Sequence, residues 1–193
     1  MAAPILILAS ASPRRTAILT ALGIPFRTVV PSVDETLLPG ESGAAAAERL
    51  ARAKADAVAP QDLPVLAADT LVVCDGAVLG KPATPDEAAR MLRTLSGRSH
   101  EVVSGICVAT GETLRSGVET TTVTFAAMDE AEIAWYVATG EPLDKAGAYH
   151  VDGRGALFVS AVSGSPSNVA GLPVRLMLRL AKEAGVRLGP KAP

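Results

Sequence analysis

Four stretches of the chain carry side chains whose types and spacing could do chemistry. In Ser10-Ala11-Ser12-Pro13-Arg14-Arg15 an apolar run gives way to a Ser-Pro helix start. Free backbone N–H groups, the positive end of a helix dipole and two guanidinium groups meet there. Arginine forks suit a polyphosphate, although the same residues also spell an ordinary capped helix with solvated arginines. Asp69, in Ala67-Ala68-Asp69-Thr70, interrupts an otherwise apolar strand, where a lone carboxylate is costly. It can be a general base, a magnesium ligand or half of a structural ion pair. Asp34-Glu35 adds hard oxygen donors, and three carboxylates without histidine favour magnesium or manganese over zinc.

Gly80-Lys81-Pro82 resembles the end of a P-loop but lacks the GxxxxGK[ST] frame, because proline stands where the metal-holding hydroxyl belongs. Lys81 on a tight turn can still neutralise a phosphate as a point charge, or be a surface lysine, and Lys54 has the same two readings. The stretch from Gly140 to Tyr149 is denser in glycine and charge than a connector needs, and its Asp144-Lys145 pair can pin the loop or contact a base or ribose. His100 and His150 lack partners at metal-ligand spacing. Ser10, Ser12 and Lys81 form neither a nucleophile elbow nor an S-x-x-K pattern, which disfavours a serine-lysine hydrolase.

The elements that must position these residues follow from periodicity and punctuation. Residues 5–9 predict a buried strand, and Ser12-Pro13 opens a helix that Gly23 closes. Residues 42–58 predict an alanine-rich helix with Leu50, Ala53 and Ala57 on one face and Lys54 on the side of Leu50. A central strand over 65–74 leads into a hairpin at Asp75-Gly76. Thr84, Pro85 and a capping-box Glu87 start a helix ending at Gly97. Strands over 101–109 and 114–126 join around Gly111, and Asp129 with Glu132 opens a helix that holds Trp135 and Tyr136 and stops at Gly140. A strand near 156–162, a helix over about 173–184 and a frayed LGPKAP tail complete the expected order. This order indicates an α/β or mixed α+β fold with a partly antiparallel sheet.

At 193 residues the chain predicts one domain spanning 1–193. Its 49% apolar and 20% charged residues exclude intrinsic disorder. A net charge of -2 and 3% aromatics argue against a nucleic-acid partner. Cys74 and Cys107 are too few for a disulfide framework and read as buried thiols in a reducing compartment. The first ten residues, MAAPILILAS, carry no basic leader and no run long enough for a bilayer, so a soluble, cytoplasmic protein without a membrane partner is expected.

Taken together, ASASPRR, SVDET, LARAKA, LAADTLVV, LGKP, LSGRSHEVVSG and GEPLDKAGAY resemble the Maf family of nucleoside triphosphate pyrophosphatases, from about residue 5 to 175. The resemblance implies a Maf/Ham1-like fold, an elongated mixed sheet with flanking helices and two lobes around a cleft. It implies hydrolysis of a nucleoside triphosphate between its α and β phosphates, with a divalent Mg2+ or Mn2+ ion, and a homodimer. By resemblance Asp69 is the general base or a metal ligand, Glu35 the acidic residue near the metal, and Ser10, Arg14, Arg15, Lys54 and Lys81 the triphosphate-binding set. The DKAGAY loop with Lys145 resembles the branch acting on dTTP and UTP. Base preference in the family is associated with positions that fall on Arg14, Thr70 and Asp152, where Asp152 replaces the glutamine typical of that branch. An ionised carboxylate only accepts hydrogen bonds, whereas an amide also donates. A nucleotide-binding regulator of cell division, without turnover, is the alternative that the resemblance leaves open.

Overall fold

The computed structural model describes residues 3–58, 62–111 and 113–188. A seven-stranded mixed sheet runs in the order β2-β1-β3-β5-β6-β7, with β4 paired to β3. The strands are β1 (Leu6–Ala9), β2 (Phe26–Val29), β3 (Val65–Cys74), β4 (Ala77–Leu79), β5 (Ser99–Ala109), β6 (Leu114–Phe125) and β7 (Val159–Ser163). The helices are α1 (Pro13–Ala21), α2 (Gly43–Asp56), α3 (Pro85–Leu95), α4 (Glu130–Ala138), α5 (Pro166–Val169) and α6 (Val174–Glu183). β1 is parallel to β2 and β3, and every other pairing is antiparallel.

The two-residue period of β3 organises the molecule. Val65, Ala67, Asp69, Leu71 and Val73 face α2: Val65 and Ala67 pack with Ala51 and Ala55 in one small-residue core, and Leu71 and Val73 pack with Ala47 in another. Leu66 and Ala68 face α1 and α6 in a first core with Leu19 and Met177, whereas Val72 and Cys74 belong to a second core with Leu92, Phe125, Tyr136 and Tyr149. Thr70 and its register partner Ser104 stand between those two cores. A polar pair thus separates the two cores.

The strongest local signals give the expected elements. Asp75 and Gly76 adopt φ of 49° and 78°, the left-handed pair that a tight hairpin turn requires. Asp129 and Glu132 form a reciprocal capping box. Both cysteines are buried and unpaired.

Several expectations need correction. The Ser12 side chain makes no cap; its backbone N–H instead donates to Ser10 Oγ at 3.1 Å. Glu87 reaches back to the N–H of Ala83, one residue upstream of the Thr84 cap. On α2 the buried stripe is Gly43, Ala46, Ala47, Leu50, Ala51, Lys54 and Ala55, while Ala57 is exposed. Over 156–162 the strand begins only at Val159, because Arg154–Phe158 forms a 3-10 turn that the Glu141 carboxylate caps through the N–H groups of Arg154 and Gly155. β2 is an edge strand with little burial to impose a pattern, and α5 is opened by Ser165-Pro166, the same signature that opens α1. Residues 189–193 of the tail lie outside the described residues.

Candidate functional site

The site arises where β3 loses its neighbour. β5 pairs with β3 from Val65 to Val73 along one edge. On the other edge β1 covers only Val65 to Ala67, and β4 covers only Val72 to Cys74. The edge at Ala68–Leu71 is therefore open, and Asp69 and Thr70 point to opposite faces of that gap. The loop after β1, with Ser10 to Arg15, and the turn after β4, with Gly80 and Lys81, both reach it, and together they border a cleft of about 650 Å³. That is the volume of a small-molecule site.

On the α2 face the chemistry is charged. Lys54 Nζ lies 2.5 Å from Asp69 Oδ1 and 2.7 Å from Glu35 Oε1, with the side chains of Lys54 and Asp69 each 9% exposed. Removing two charges from water is offset only by such close pairing, so the carboxylate found alone in the strand has its partner. Burial works against ionisation of Glu35, but the hydrogen bond and charge of Lys54, backed by Lys81 and Arg15, hold its carboxyl below the usual range. Lys81 is exposed at the rim.

On the opposite face a hydrogen-bond network replaces the ion pairs. Arg15 is buried, and its Nε donates to Gly171 O at 2.9 Å, Nη1 to Ser10 Oγ at 3.1 Å and Nη2 to Thr70 Oγ1 at 3.2 Å. Thr70 Oγ1 also lies 2.8 Å from Ser104 Oγ. Desolvation lowers Arg15 to about 10, against the raising effect of Asp69, so it stays charged at neutral pH. Arg14 is half-buried; burial lowers its pKa while Asp144 and Asp152 work in the other direction. The Lys145 ammonium contacts Asp144. Gly147 N donates to Gly80 O at 3.1 Å, which ties the Asp144–Tyr149 loop to the Lys81 turn. Gly147 has φ +68°, and a Cβ there would meet Val72 at 2.9 Å, so only glycine lets this loop lie on β3.

The cleft gathers Ser10, Arg14, Arg15, Glu35, Lys54, Asp69, Thr70, Lys81 and Lys145. Asp152 is exposed and outside this lining, and its charge acts on Arg14. Asp34 is spent on the N–H of Thr36 at 2.9 Å and does not join Asp69, so the three-carboxylate cluster is not formed. Among the described residues no three His, Cys, Asp or Glu side chains gather as a metal shell. Glu35 and Asp69 do converge on a single cation, and two hard oxygen donors completed by phosphate oxygens suit Mg2+ or Mn2+. The sequence patterns do not single out Ser104 or Gly171, and they mark Tyr149 only as the end of the Gly140–Tyr149 stretch. Ser104 had a readable signal, a hydroxyl interrupting an apolar strand as Asp69 does; a backbone carbonyl such as that of Gly171 has none.

The Maf family model, described as Maf-like protein, matches residues 5–184. A dTTP/UTP pyrophosphatase of Anaeromyxobacter dehalogenans is 52% identical over 191 residues, covering 96% of this chain and 97% of that protein. Proteins of the same name from Moorella thermoacetica and Symbiobacterium thermophilum are 53% and 48% identical, covering 88% and 93% of this chain and 89% and 94% of theirs. Among solved structures, the Ham1 protein of Staphylococcus aureus overlaps 63% of this chain and 71% of its own, with a TM-score of 0.45 and 15% identity.

Proposed function

The chain belongs to the Maf family, and from that premise we propose that it is a nucleoside triphosphate pyrophosphatase acting on dTTP and UTP, releasing the monophosphate and pyrophosphate. The observation that carries this reading is the Asp69 carboxylate set in the open edge of β3 and held at 2.5 Å by Lys54. Phosphoryl transfer needs charge neutralisation and an aligned water more than covalent help. Asp69 accepts the proton of the attacking water as its oxygen bonds to phosphorus and the anhydride bond to the pyrophosphate leaving group breaks. Lys54 holds Asp69 aimed before substrate arrives, and Lys81 and Arg14 meet the negative charge of the triphosphate. Arg15 fixes Ser10 and Thr70 in place from beneath. Glu35 and Asp69 would hold the divalent ion, which supplies charge neutralisation on the phosphate oxygens when bound.

On this reading dTTP and UTP hydrolysis tolerates Asp152, because that residue stands outside the cleft lining. The family's role in nucleotide-pool housecleaning, a cytoplasmic site of action and a homodimeric state belong to the same proposal. No helix among the described residues is long and apolar enough to cross a membrane, and the net charge of -2 gives nucleic acid no general attraction. The test is pyrophosphate release from a panel of triphosphates with Mg2+, comparing the native chain with Asp152→Gln. Release from dTTP and UTP by both is expected. Binding without release from any member would replace the enzyme with a nucleotide sensor.

A further inference from the structure

We propose that Tyr149 contacts the nucleoside half of the substrate through its hydroxyl, and that His100, buried behind it, is the residue that orients that hydroxyl. The inference rests on the nucleotide reading above and concerns residues to which no role has yet been given. Because Asp69 and Thr70 face opposite sides of the β3 edge, the cleft has two walls. The α2 wall holds Glu35, Lys54 and Asp69, where the phosphates must react. The other wall carries Arg14, and beyond it the uncharged Thr70, Val72, Tyr149 and Val151, which suit the nucleoside.

Tyr149 lines this second wall, yet it is only 4% exposed and its ring is locked edge-on against Phe125 at 4.8 Å and His100 at 5.3 Å. Its hydroxyl lies 2.9 Å from His100 Nε2 and within electrostatic reach of Arg14 at the cleft. His100 is 3% exposed, and its other nitrogen, Nδ1, has no partner among the described residues. Burial drives His100 down to about 4, so the ring is neutral and carries one proton. An orphaned N–H is a worse burial than an orphaned lone pair, which places that proton on Nε2. Nε2–H then donates to the Tyr149 oxygen. The phenol's own proton is consequently turned away from His100, free for an acceptor in the cleft such as a pyrimidine carbonyl or a sugar oxygen.

The experiment measures calorimetric binding of α,β-imido-dUTP, which cannot be cleaved, and of inorganic tripolyphosphate, which has no nucleoside. The proteins compared are the native chain, Tyr149→Phe, His100→Phe and the double variant. Tyr149→Phe keeps the ring and its contact with Phe125, so it tests the hydroxyl without emptying the core. Each single variant should weaken nucleotide binding about tenfold and leave tripolyphosphate within about twofold, with the double variant no weaker than Tyr149→Phe. Histidine-selective nitrogen NMR should show the proton of His100 on Nε2. Unchanged nucleotide affinity in folded Tyr149→Phe, or a parallel loss of tripolyphosphate binding, would overturn the inference. A native chain that binds no nucleotide would instead overturn the proposed function itself.

Discussion

At the scale of single residues, the site is organised by one lysine shared between two carboxylates. Lys54 comes from α2, Asp69 from β3 and Glu35 from the loop after β2, so three separate elements converge on one ammonium. Asp69→Asn removes the proposed proton acceptor but keeps the shape, and it should lower turnover roughly 10²- to 10⁴-fold while nucleotide binding by calorimetry survives. Turnover that persists in Asp69→Asn would remove it from the base role. Lys54→Met leaves Asp69 buried without its partner and should cost about 3 kcal/mol in urea unfolding, as well as activity. A variant as stable as the native chain would mean that the pair is not coupled in solution. The sequence made Asp69 conspicuous, as a charge in an apolar strand. It could not name the partner, because Lys54 lies 15 residues away on a helix whose docking is a tertiary event.

At the scale of elements, the alanine-rich composition of α2 finds its reason in distance. Gly105, the β5 residue paired with Asp69, lies so close beneath α2 that a Cβ there would stand 2.1 Å from Ala47 O. Gly43 likewise meets Val73, at 2.5 Å from an added Cβ. Small residues on both surfaces therefore bring the helix axis near enough for Lys54 to reach Asp69. Gly105→Ala should push α2 off the sheet and lower stability by about 3 kcal/mol, read as a lowered urea midpoint, and it should reduce turnover even though residue 105 carries no chemistry. Native activity in Gly105→Ala would show that α2 can shift without disturbing the pair. Helix starts with proline or a capping box were readable because they depend on neighbouring residues alone. Helical spacing puts Ala53 and Ala57 on the face of Leu50, yet Ala53 is only half-buried and Ala57 is the exposed C-cap, since alanine is compatible with either face and only the docked sheet decides.

At the scale of the whole molecule, the cores belong to one seven-stranded sheet, and the cleft is the place where that sheet is incomplete. The core around Phe125 and Tyr149 also carries a pH dependence. His100 is neutral in the folded protein down to about pH 4, whereas an exposed histidine takes up its proton near 6.5. Between these values the unfolded chain binds more protons, so stability from this group is full above pH 6.5 and is lost as the pH falls toward 4, by about 3 kcal/mol at most. Urea unfolding at pH 7 and pH 5 should therefore show a smaller acid loss in His100→Phe than in the native chain. Equal losses would mean that His100 is not the group responsible.

By itself the sequence determined which residues are candidates for chemistry and what most elements are. Strand period, helix caps and the Asp75-Gly76 turn are local properties, written within a few residues of where they act. The motifs likewise identified Ser10, Arg14, Lys54, Asp69 and Lys81 by type and order. What only the tertiary structure decided is how they meet. The early end of β1 and the short reach of β4 open the edge of β3, and no local pattern records where a neighbouring strand stops. The same docking gave Asp69 its lysine, drew Arg15 into a buried network, left Asp34 and Asp152 outside the cleft lining, and set His100 behind Tyr149. These outcomes depend on distances between residues far apart in the chain, which packing alone fixes.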